Sequence, residues 1–309
     1  MRVLSTLLRN LLLIACCSSQ AVNAGEWNSN VVGEWLVFTD DALYTNQKNS
    51  YLSAAIETEY FHEWNGGDDL FVFKPFYRVD QYDDNRTHGD IRELSWLHAS
   101  NDWELLVGIS KVYWGATEAA HLVDIINQTD FVENLDGEDK LGQPMIKLTF
   151  IQNWGVTDFF VLPGFRERTF AGTEGRPRLQ LPPGLIFSAD AATYESSDAE
   201  RHIDYAIRWF AFFDEWELGL SHFSGTGREP ETFNVNNAGI LTPHYTLINQ
   251  TGIDLQILIE DWTWKLELIS RENSSERYLA LTGGFEYTIV GINHSQADLG
   301  IVVEYLFDE

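Results

Sequence analysis

The sequence predicts an all-β protein that folds as an antiparallel up-and-down transmembrane β-barrel of about fourteen strands, either complete or a fragment of a larger barrel. Three observations predict this fold. Apolar and polar residues alternate with a period of two along most of the chain. The connections between the predicted strands alternate between short and long. Aromatic residues, 14% of the chain, gather at the predicted strand ends.

The alternation is clearest in the segments 203–209 and 253–260, which read Ile-Asp-Tyr-Ala-Ile-Arg-Trp and Ile-Asp-Leu-Gln-Ile-Leu-Ile-Glu. Because successive residues of a strand point to opposite faces of a sheet, each segment presents one apolar face. One segment, 117–126, predicts a short helix instead. Applied along the whole chain, the alternation predicts strands centred on 33–39, 52–63, 70–79, 90–98, 103–114, 145–152, 156–164, 201–213, 216–223, 241–249, 253–260, 263–271, 277–290 and 298–307.

The lengths of the connections distinguish a membrane barrel from a soluble sandwich. Short turns are predicted at 65–68, 100–102, 153–155, 214–215 and 250–252, and long loops between them at 40–51, 80–89, 115–144, 165–200 and 224–240. A barrel that crosses a membrane once per strand has short turns on one side and long loops on the other. The connection near Asp261 is short where the alternation predicts a long one.

Composition excludes several functions. The 47 acidic and 20 basic residues give a net charge of −27, which repels nucleic-acid backbones, so we expect no nucleic-acid partner. No stretch after residue 25 approaches the ~18 consecutive apolar residues of a membrane helix. The signatures Gly-x-Ser-x-Gly and His-Glu-x-x-His, the phosphate-binding loop and the dinucleotide-binding fingerprint are absent.

The first 24 residues predict a secretory signal peptide. Arg2 and Arg9 supply the basic start, Leu11 to Ala15 an apolar stretch, and the segment 22–24 a small-residue cleavage site. Lipoprotein processing at Cys16 is the alternative to cleavage after Ala24. We therefore expect residues 25–309 to form a single β-barrel domain that is exported and inserted in an outer membrane.

Three loop-proximal blocks carry a resemblance to a known group of proteins. They are 111–115 (Lys-Val-Tyr-Trp-Gly) leading into Asp124, Asn127 and Asp130, then 162–168 (Leu-Pro-Gly-Phe-Arg-Glu-Arg), and 225–230 (Gly-Thr-Gly-Arg-Glu-Pro). On these blocks the chain resembles Gram-negative porin-like barrels, in particular uncharacterised barrels related to alginate-export porins. The resemblance implies passive diffusion of small solutes across the outer membrane. It names no substrate and no oligomeric state.

Charged residues on the polar strand faces are predicted to line the lumen. Lys74, Arg78 and Arg208 are candidates for channel or anion contact. A basic cluster, predicted to select anions or to contact lipopolysaccharide, consists of Arg166, Arg168, Arg176 and Arg178. The expected partners are therefore lipopolysaccharide, membrane lipid and small solutes. The full predicted set on the strand faces is Glu57, Glu59, Lys74, Arg78, Arg92, Glu104, Lys147, Asp204, Arg208, Glu260, Lys265, Glu267, Arg271 and Glu286.

Two alternatives to a porin remain open from the sequence. His222 and Ser224 lie two apart on a predicted strand and are similar to the His-x-Ser element of outer-membrane phospholipases, with Asn236 or Asn237 as the third residue. A soluble secreted β-protein that binds or cleaves glycans is the other alternative.

No cofactor and no metal are expected. The metal alternative is calcium on the oxygen-rich loop that contains Asp124, Asp130, Asp136 and Asp139. That loop lacks the residue order of the EF-hand.

Overall fold

The computed structural model describes residues 25–309 except 135, 177, 179, 183, 293 and 294. The predicted signal peptide and the alternative lipoprotein site at Cys16 lie outside the described residues. Among the described residues, no helix has the length and apolar character needed to cross a membrane. The strands are β1 (Glu26–Val37), β2 (Ser50–Trp64), β3 (Asp69–Asp80), β4 (His88–Ala99), β5 (Trp103–Ser110), β6 (Gln143–Gln152), β7 (Gly155–Pro163), β8 (Ile186–Phe187), β9 (Thr193–Tyr194), β10 (Ile203–Phe213), β11 (Trp216–Thr226), β12 (Thr232–Val235), β13 (Ile240–Tyr245), β14 (Leu247–Ile259), β15 (Trp262–Glu272), β16 (Arg277–Ile289) and β17 (Leu299–Asp308). Single turns of 3-10 helix occupy 65–67, 189–191 and 199–201.

Thirteen strands form one antiparallel sheet in chain order, β1 to β7, then β10, β11 and β14 to β17. The hydrogen-bonded pairs described in this sheet join each strand to its neighbours along that order, and none of them joins β1 to β17. The remaining short strands, β8, β9, β12 and β13, form a separate small sheet within two of the long loops. An all-β antiparallel up-and-down fold is therefore confirmed, with thirteen strands in the main sheet.

The two faces of the sheet have opposite polarity. On β10, Ile207 is 39% exposed while its neighbour Arg208 is 7% exposed, and the same contrast recurs on the adjacent strands. Large apolar side chains such as Phe159, Leu220 and Ile253 are exposed on the outer face, whereas carboxylates and guanidinium groups are buried on the inner one. A contiguous exposed apolar face is typical of a surface that contacts lipid, and a polar interior is typical of outer-membrane barrels. A soluble sandwich has the opposite arrangement.

The connections are sorted between the two rims of the sheet. One rim carries the short turns 65–68, 100–102, 153–154, 214–215 and 260–261, and the other carries the long loops 38–49, 81–87, 111–142, 164–202 and 227–246. The tight turn 273–276 on the long-loop rim and the longer connection 290–298 on the short-turn rim are exceptions. The predicted sorting is otherwise confirmed.

The prediction of two strands at 241–249 and 253–260 with a turn at 250–252 is wrong. Residues 247–259 form the single strand β14, while 240–245 belong to the small sheet. Gly252 indicated a turn in the sequence, but it lies within the strand on the inner face. A Cβ there would come within 2.9 Å of Val123 Cγ1, so the glycine makes room for a side chain that packs onto the strand.

The helix predicted at 117–126 is also absent, since this segment contains turns and bends only. The apolar residues that gave it a helical spacing are buried by tertiary contacts. Its amides at Thr117 and Val123 donate to the carboxylate of Glu267 on β15, whereas in a helix over 117–126 the Val123 amide would donate to the carbonyl of residue 119. A buried side-chain acceptor thus replaces local hydrogen bonding.

Residues 111–142, called the inner loop below, show that the sheet curves around an interior. The loop connects β5 to β6, yet it contacts Arg78 on β3, Glu267 on β15 and Glu304 on β17. One segment of this length reaches both ends of the strand order only if the sheet curls around it. The main apolar core lies where the loop meets the inner wall.

Candidate functional site

The inner loop packs on the inner wall through an apolar cluster. Trp114, Val123, Ile125 and Ile126 are buried and belong to the loop. Burying these side chains against the wall gives the hydrophobic driving force that folds the loop inward. The wall residues of the cluster come from seven strands and are Met145, Phe160, Leu162, Ala206, Phe223, Ile248, Ile269 and Ala280.

Glu267 anchors the first half of the inner loop. Its Oε1 accepts hydrogen bonds from the amides of Ala116 (2.8 Å) and Thr117 (3.0 Å) and from the Thr117 hydroxyl (2.7 Å), and its Oε2 accepts one from the amide of Val123 (3.1 Å). The side chain is fully buried. Gly115 has a φ of +109° and passes so close that a Cβ would collide with Oε1. The carboxylate and the glycine therefore fit each other.

Arg228, in the loop after β11, and Gln250, on the wall, hold the middle of the inner loop. Arg228 donates from Nε to the carbonyl of Ile126 (2.9 Å) and from Nη1 to the carboxylate of Asp204 on β10 (2.8 Å). Gln250 on β14 donates from Nε2 to the carbonyl of Leu122 (3.1 Å). These contacts satisfy carbonyl groups that the loop buries without regular secondary structure.

The end of the loop is tied to β3 and β4 by buried ion pairs. Arg78 donates to both carboxylate oxygens of Glu133 from Nε (2.9 and 3.0 Å) and from Nη2 (2.7 Å). Arg92 donates to Asp130 at 2.7 Å. Both arginines were predicted to line the lumen, and the structure places both on the inner face as buried partners of the loop. Charge-assisted pairs of this kind are strong where water is excluded.

The predicted calcium residues do not converge. Asp130 is paired with Arg92, Asp124 and Asp136 line one cavity, and Asp139 lines another. Among the described residues, the one group of three side chains close enough to share a metal ion is His88, Asp130 and Glu133. The arginine pairs already neutralise both carboxylates of that group.

Asp124 carries a carboxylate that the fold leaves poorly solvated. Burial raises its pKa to about 6, although Lys140 and His121 oppose this shift through their positive charge. Lys140 Nζ lies 3.6 Å from Oδ2, while Oδ1 is buried without a described hydrogen bond. The inner loop therefore contains a group that titrates in the mildly acidic range.

The arginines of the predicted basic cluster at 166–178 contact different parts of the protein. Arg166 pairs with Asp90 (2.8 Å), and Arg176 donates to the carbonyl of Asp40 (2.9 Å). Arg168 and Arg178 line one cavity together. The four residues do not form a single patch.

The other predicted channel residues lie on the inner face. Lys74 pairs with Glu57 (3.0 Å), and Arg208 forms a buried bidentate pair with Asp254 (2.7 and 2.8 Å). Both ion pairs join neighbouring or nearby strands of the wall. Their charges are partly neutralised within the wall itself.

The predicted phospholipase residues are not joined by any described hydrogen bond. His222 lies on the outer face with Nδ1 2.9 Å from the hydroxyl of Thr251, and Ser224 is exposed on the same face. Asn236 lies in the turn between β12 and β13, where its side-chain Oδ1 accepts hydrogen bonds from the amides of Ala238 and Ile240. The histidine thus has a different partner, and the asparagine caps a turn.

Three cavities meet at Phe131 of the inner loop. Their volumes are about 620, 430 and 510 Å³. The lining of the first includes four phenylalanine side chains and two arginines. The second lies beside the charged residues Arg78 and Arg86, and the third includes Asp124 and Lys140. The three cavities beside the inner loop thus differ in the polarity and charge of the side chains that line them.

The role of the inner loop was not predicted, although its residues were noticed. The three blocks that carry the porin resemblance meet on it: Gln128 donates to the carbonyl of Arg166, and Arg228 donates to the carbonyl of Ile126. The run Leu122–Ile126 is apolar except for Asp124 within an acidic connection, which is the signal that this segment is buried. Glu267 was predicted to face the lumen, and the structure adds what it binds there.

Comparisons with known proteins agree with this fold. No protein-family model matches the sequence, and no curated protein matches it. Among solved structures, the outer membrane protein OmpT of Vibrio cholerae, in its trimer form, matches with a TM-score of 0.51 and 10% identity over 93% of this chain and 78% of that one. The outer membrane channel DcaP of Acinetobacter baumannii matches with a TM-score of 0.42 and 10% identity over 94% and 81%. The first likeness supports the outer-membrane β-barrel fold, and the second is too distant to support an argument.

Proposed function

We propose that the protein is a porin-like channel that passes small solutes passively across the outer membrane. The observation that carries the proposal is the inner loop, which buried polar groups of the wall, above all Glu267, hold within a charged lumen. A loop fixed in this way narrows the lumen to a defined width, and the charges around it select solutes. A wall that served only as a scaffold would need no such anchored segment.

The location follows from the two faces of the sheet. The exposed apolar side chains of the outer face match the hydrocarbon layer of a membrane, and the polar inner face matches a water-filled lumen. The outer membrane is the bilayer in which barrels of this kind function. The closer relation to alginate-export porins stays a prediction from three short blocks.

Conductance in planar bilayers tests the proposal. The purified chain is expected to give discrete current steps, and liposomes that contain it are expected to swell in solutions of small neutral sugars. Replacing residues 117–140 by a short glycine–serine linker should enlarge the step. Glu267→Ala, which keeps the loop but removes its anchor, should increase the noise of the open channel. Folded protein that gives neither current steps nor swelling would overturn the proposal.

A further inference from the structure

The cavity of about 620 Å³ beside Phe131 has features of a binding site that passive passage does not require. It lies on the long-loop rim between the inner loop, the segment after β7 and the strand β12. Its volume is within the range of small-molecule sites, roughly 300–1,000 Å³. We name it the rim pocket.

Aromatic rings form one wall of the rim pocket. The rings of Phe170 and Phe187 meet edge to face with centroids 4.8 Å apart, and Phe187 and Phe233 do so at 6.1 Å. Phe233 remains 40% exposed although it belongs to this cluster. Exposed aromatic surface in a concave site favours a ligand with a planar apolar group, because binding removes that surface from water.

Two guanidinium groups border the same wall. Arg168 lies with Cζ 4.7 Å from the centroid of Phe131, and Arg178 lies 4.7 Å from the centroid of Tyr44. Arg178 uses Nη1 to donate to the carbonyl of Thr173 (2.9 Å), and no described contact uses its Nη2. Arginine side chains with N–H groups to spare beside apolar surface are suited to bind a carboxylate.

The one carboxylate among the described residues that line the rim pocket does not cancel this positive charge. Glu229 accepts a hydrogen bond from Arg168 at 3.3 Å, and its side chain is 64% exposed. Arg168 itself is only 12% exposed, but the hydrogen bond is long and water screens the Glu229 carboxylate, so a bound anion can replace it on the guanidinium. Two guanidinium groups against one exposed carboxylate leave a local positive charge in a chain of net charge −27.

We propose that the rim pocket binds a small aromatic carboxylate, with its ring against Phe170, Phe187 and Phe233 and its carboxylate on Arg168 and Arg178. The binding itself is independent of transport, whereas the role of the pocket as an entry site rests on the proposed passage of solutes. An aromatic ring without the charge, or a carboxylate without the ring, uses only half of the site.

Fluorine NMR of the full chain in detergent tests the proposal with 4-fluorobenzoate as the probe. Protein is expected to broaden and shift the resonance in a saturable way, and unlabelled benzoate should compete. Arg178→Gln and Phe233→Ala should each raise the Kd at least fivefold. There are two matched controls. Arg277→Gln changes an exposed arginine at the start of β16, and Phe212→Ala changes an exposed phenylalanine near the opposite rim. Both should leave the Kd unchanged.

Three outcomes of this experiment would overturn the proposal. These outcomes are no saturable binding, equal binding by Arg178→Gln and the wild type, and equal competition by acetate or by the neutral benzyl alcohol. The readout does not depend on transport. If benzoate binds to a chain that gives no current steps, the proposed channel function fails while the rim pocket stands. Current steps without benzoate binding give the reverse result.

Discussion

Glu267 accepts a hydrogen bond from the hydroxyl of Thr117 at 2.7 Å, although 150 residues separate the two in the sequence. The contact joins the β15 wall to the inner loop, and the amides of Thr117 and Val123 point to the same carboxylate. A segment without regular secondary structure thereby obtains from the wall an acceptor for its buried amides. The position of the loop in the lumen depends on this carboxylate.

We expect Glu267→Ala to destabilise the protein more than any other single change on the inner face of β15. The substitution leaves buried amide groups without an acceptor, which costs about 1–3 kcal/mol for each group. Glu267→Gln keeps one carbonyl acceptor and should cost less. The measurement is the thermal midpoint followed by circular dichroism in detergent. Glu217→Ala, on the inner face of β11, is the control, and an equal loss in both alanine variants would contradict the anchoring role.

Gly252 is expected to tolerate no side chain. A Cβ at this position would lie 2.9 Å from Val123 Cγ1 and 2.7 Å from Ser221 Oγ, so Gly252→Val should push the inner loop off the wall. Limited digestion with chymotrypsin should then cleave the loop faster, with cuts near Phe131 identified by mass spectrometry. Gly300→Val is the matched control, because nothing lies within 4 Å of a Cβ there. Equal digestion rates for the two variants would refute the packing argument.

The strands were predictable from sequence because their pattern is local. Alternation along 203–209 and 253–260 reports which side of a sheet each residue faces, and it needs no knowledge of the partner strand. The break expected at 250–252 was wrong because Gly252 is required by a contact with Val123, more than a hundred residues earlier in the chain. Local patterns carry no record of such contacts.

The site was less predictable for the same reason. Glu267 and Arg78 lie on the inner face of the sheet, as strand parity predicts. Their partners lie on the inner loop, whose segment 117–126 has the apolar spacing of a helix but hydrogen-bonds to the wall. Tertiary hydrogen bonds override a helical pattern of this length. The arginines at 166–178 are close in sequence but have separate partners, since Arg166 pairs with Asp90 on β4 whereas Arg176 and Arg178 contact the loop 38–49.

A charged side chain at position 207 is expected to destabilise the protein in a membrane. It lies in the middle of β10 on the outer face, opposite Phe159 on β7 and His222 on β11. An arginine on the lipid face near the bilayer centre costs about 2–4 kcal/mol. Ile207→Arg should therefore lower the folded fraction recovered in liposomes, as measured by heat-modifiable migration on gels. Glu215→Arg, in a short turn at the rim, should have little effect, and equal recovery of both variants would contradict the assignment of the outer face.

Asp124 should make the stability of the protein depend on pH in the mildly acidic range. Its pKa is raised by burial from 3.8 to about 6 in the folded chain. Between these values the unfolded chain releases the proton while the folded chain keeps it. The contribution of this group to stability therefore falls as the pH rises towards 6 and stays low above it, by on the order of 2–3 kcal/mol.

The pH dependence of Asp124→Asn should accordingly be weaker than that of the wild type. The measurement is the change in thermal midpoint between pH 4.5 and pH 7.5. That change is the informative quantity, because the substitution also removes the partner of Lys140 at every pH. Asp136→Asn, an exposed residue of the same loop, should keep the wild-type dependence. If Asp124→Asn shows the full wild-type change, the titrating group lies elsewhere, and burial of this carboxylate does not control the acid response of the inner loop.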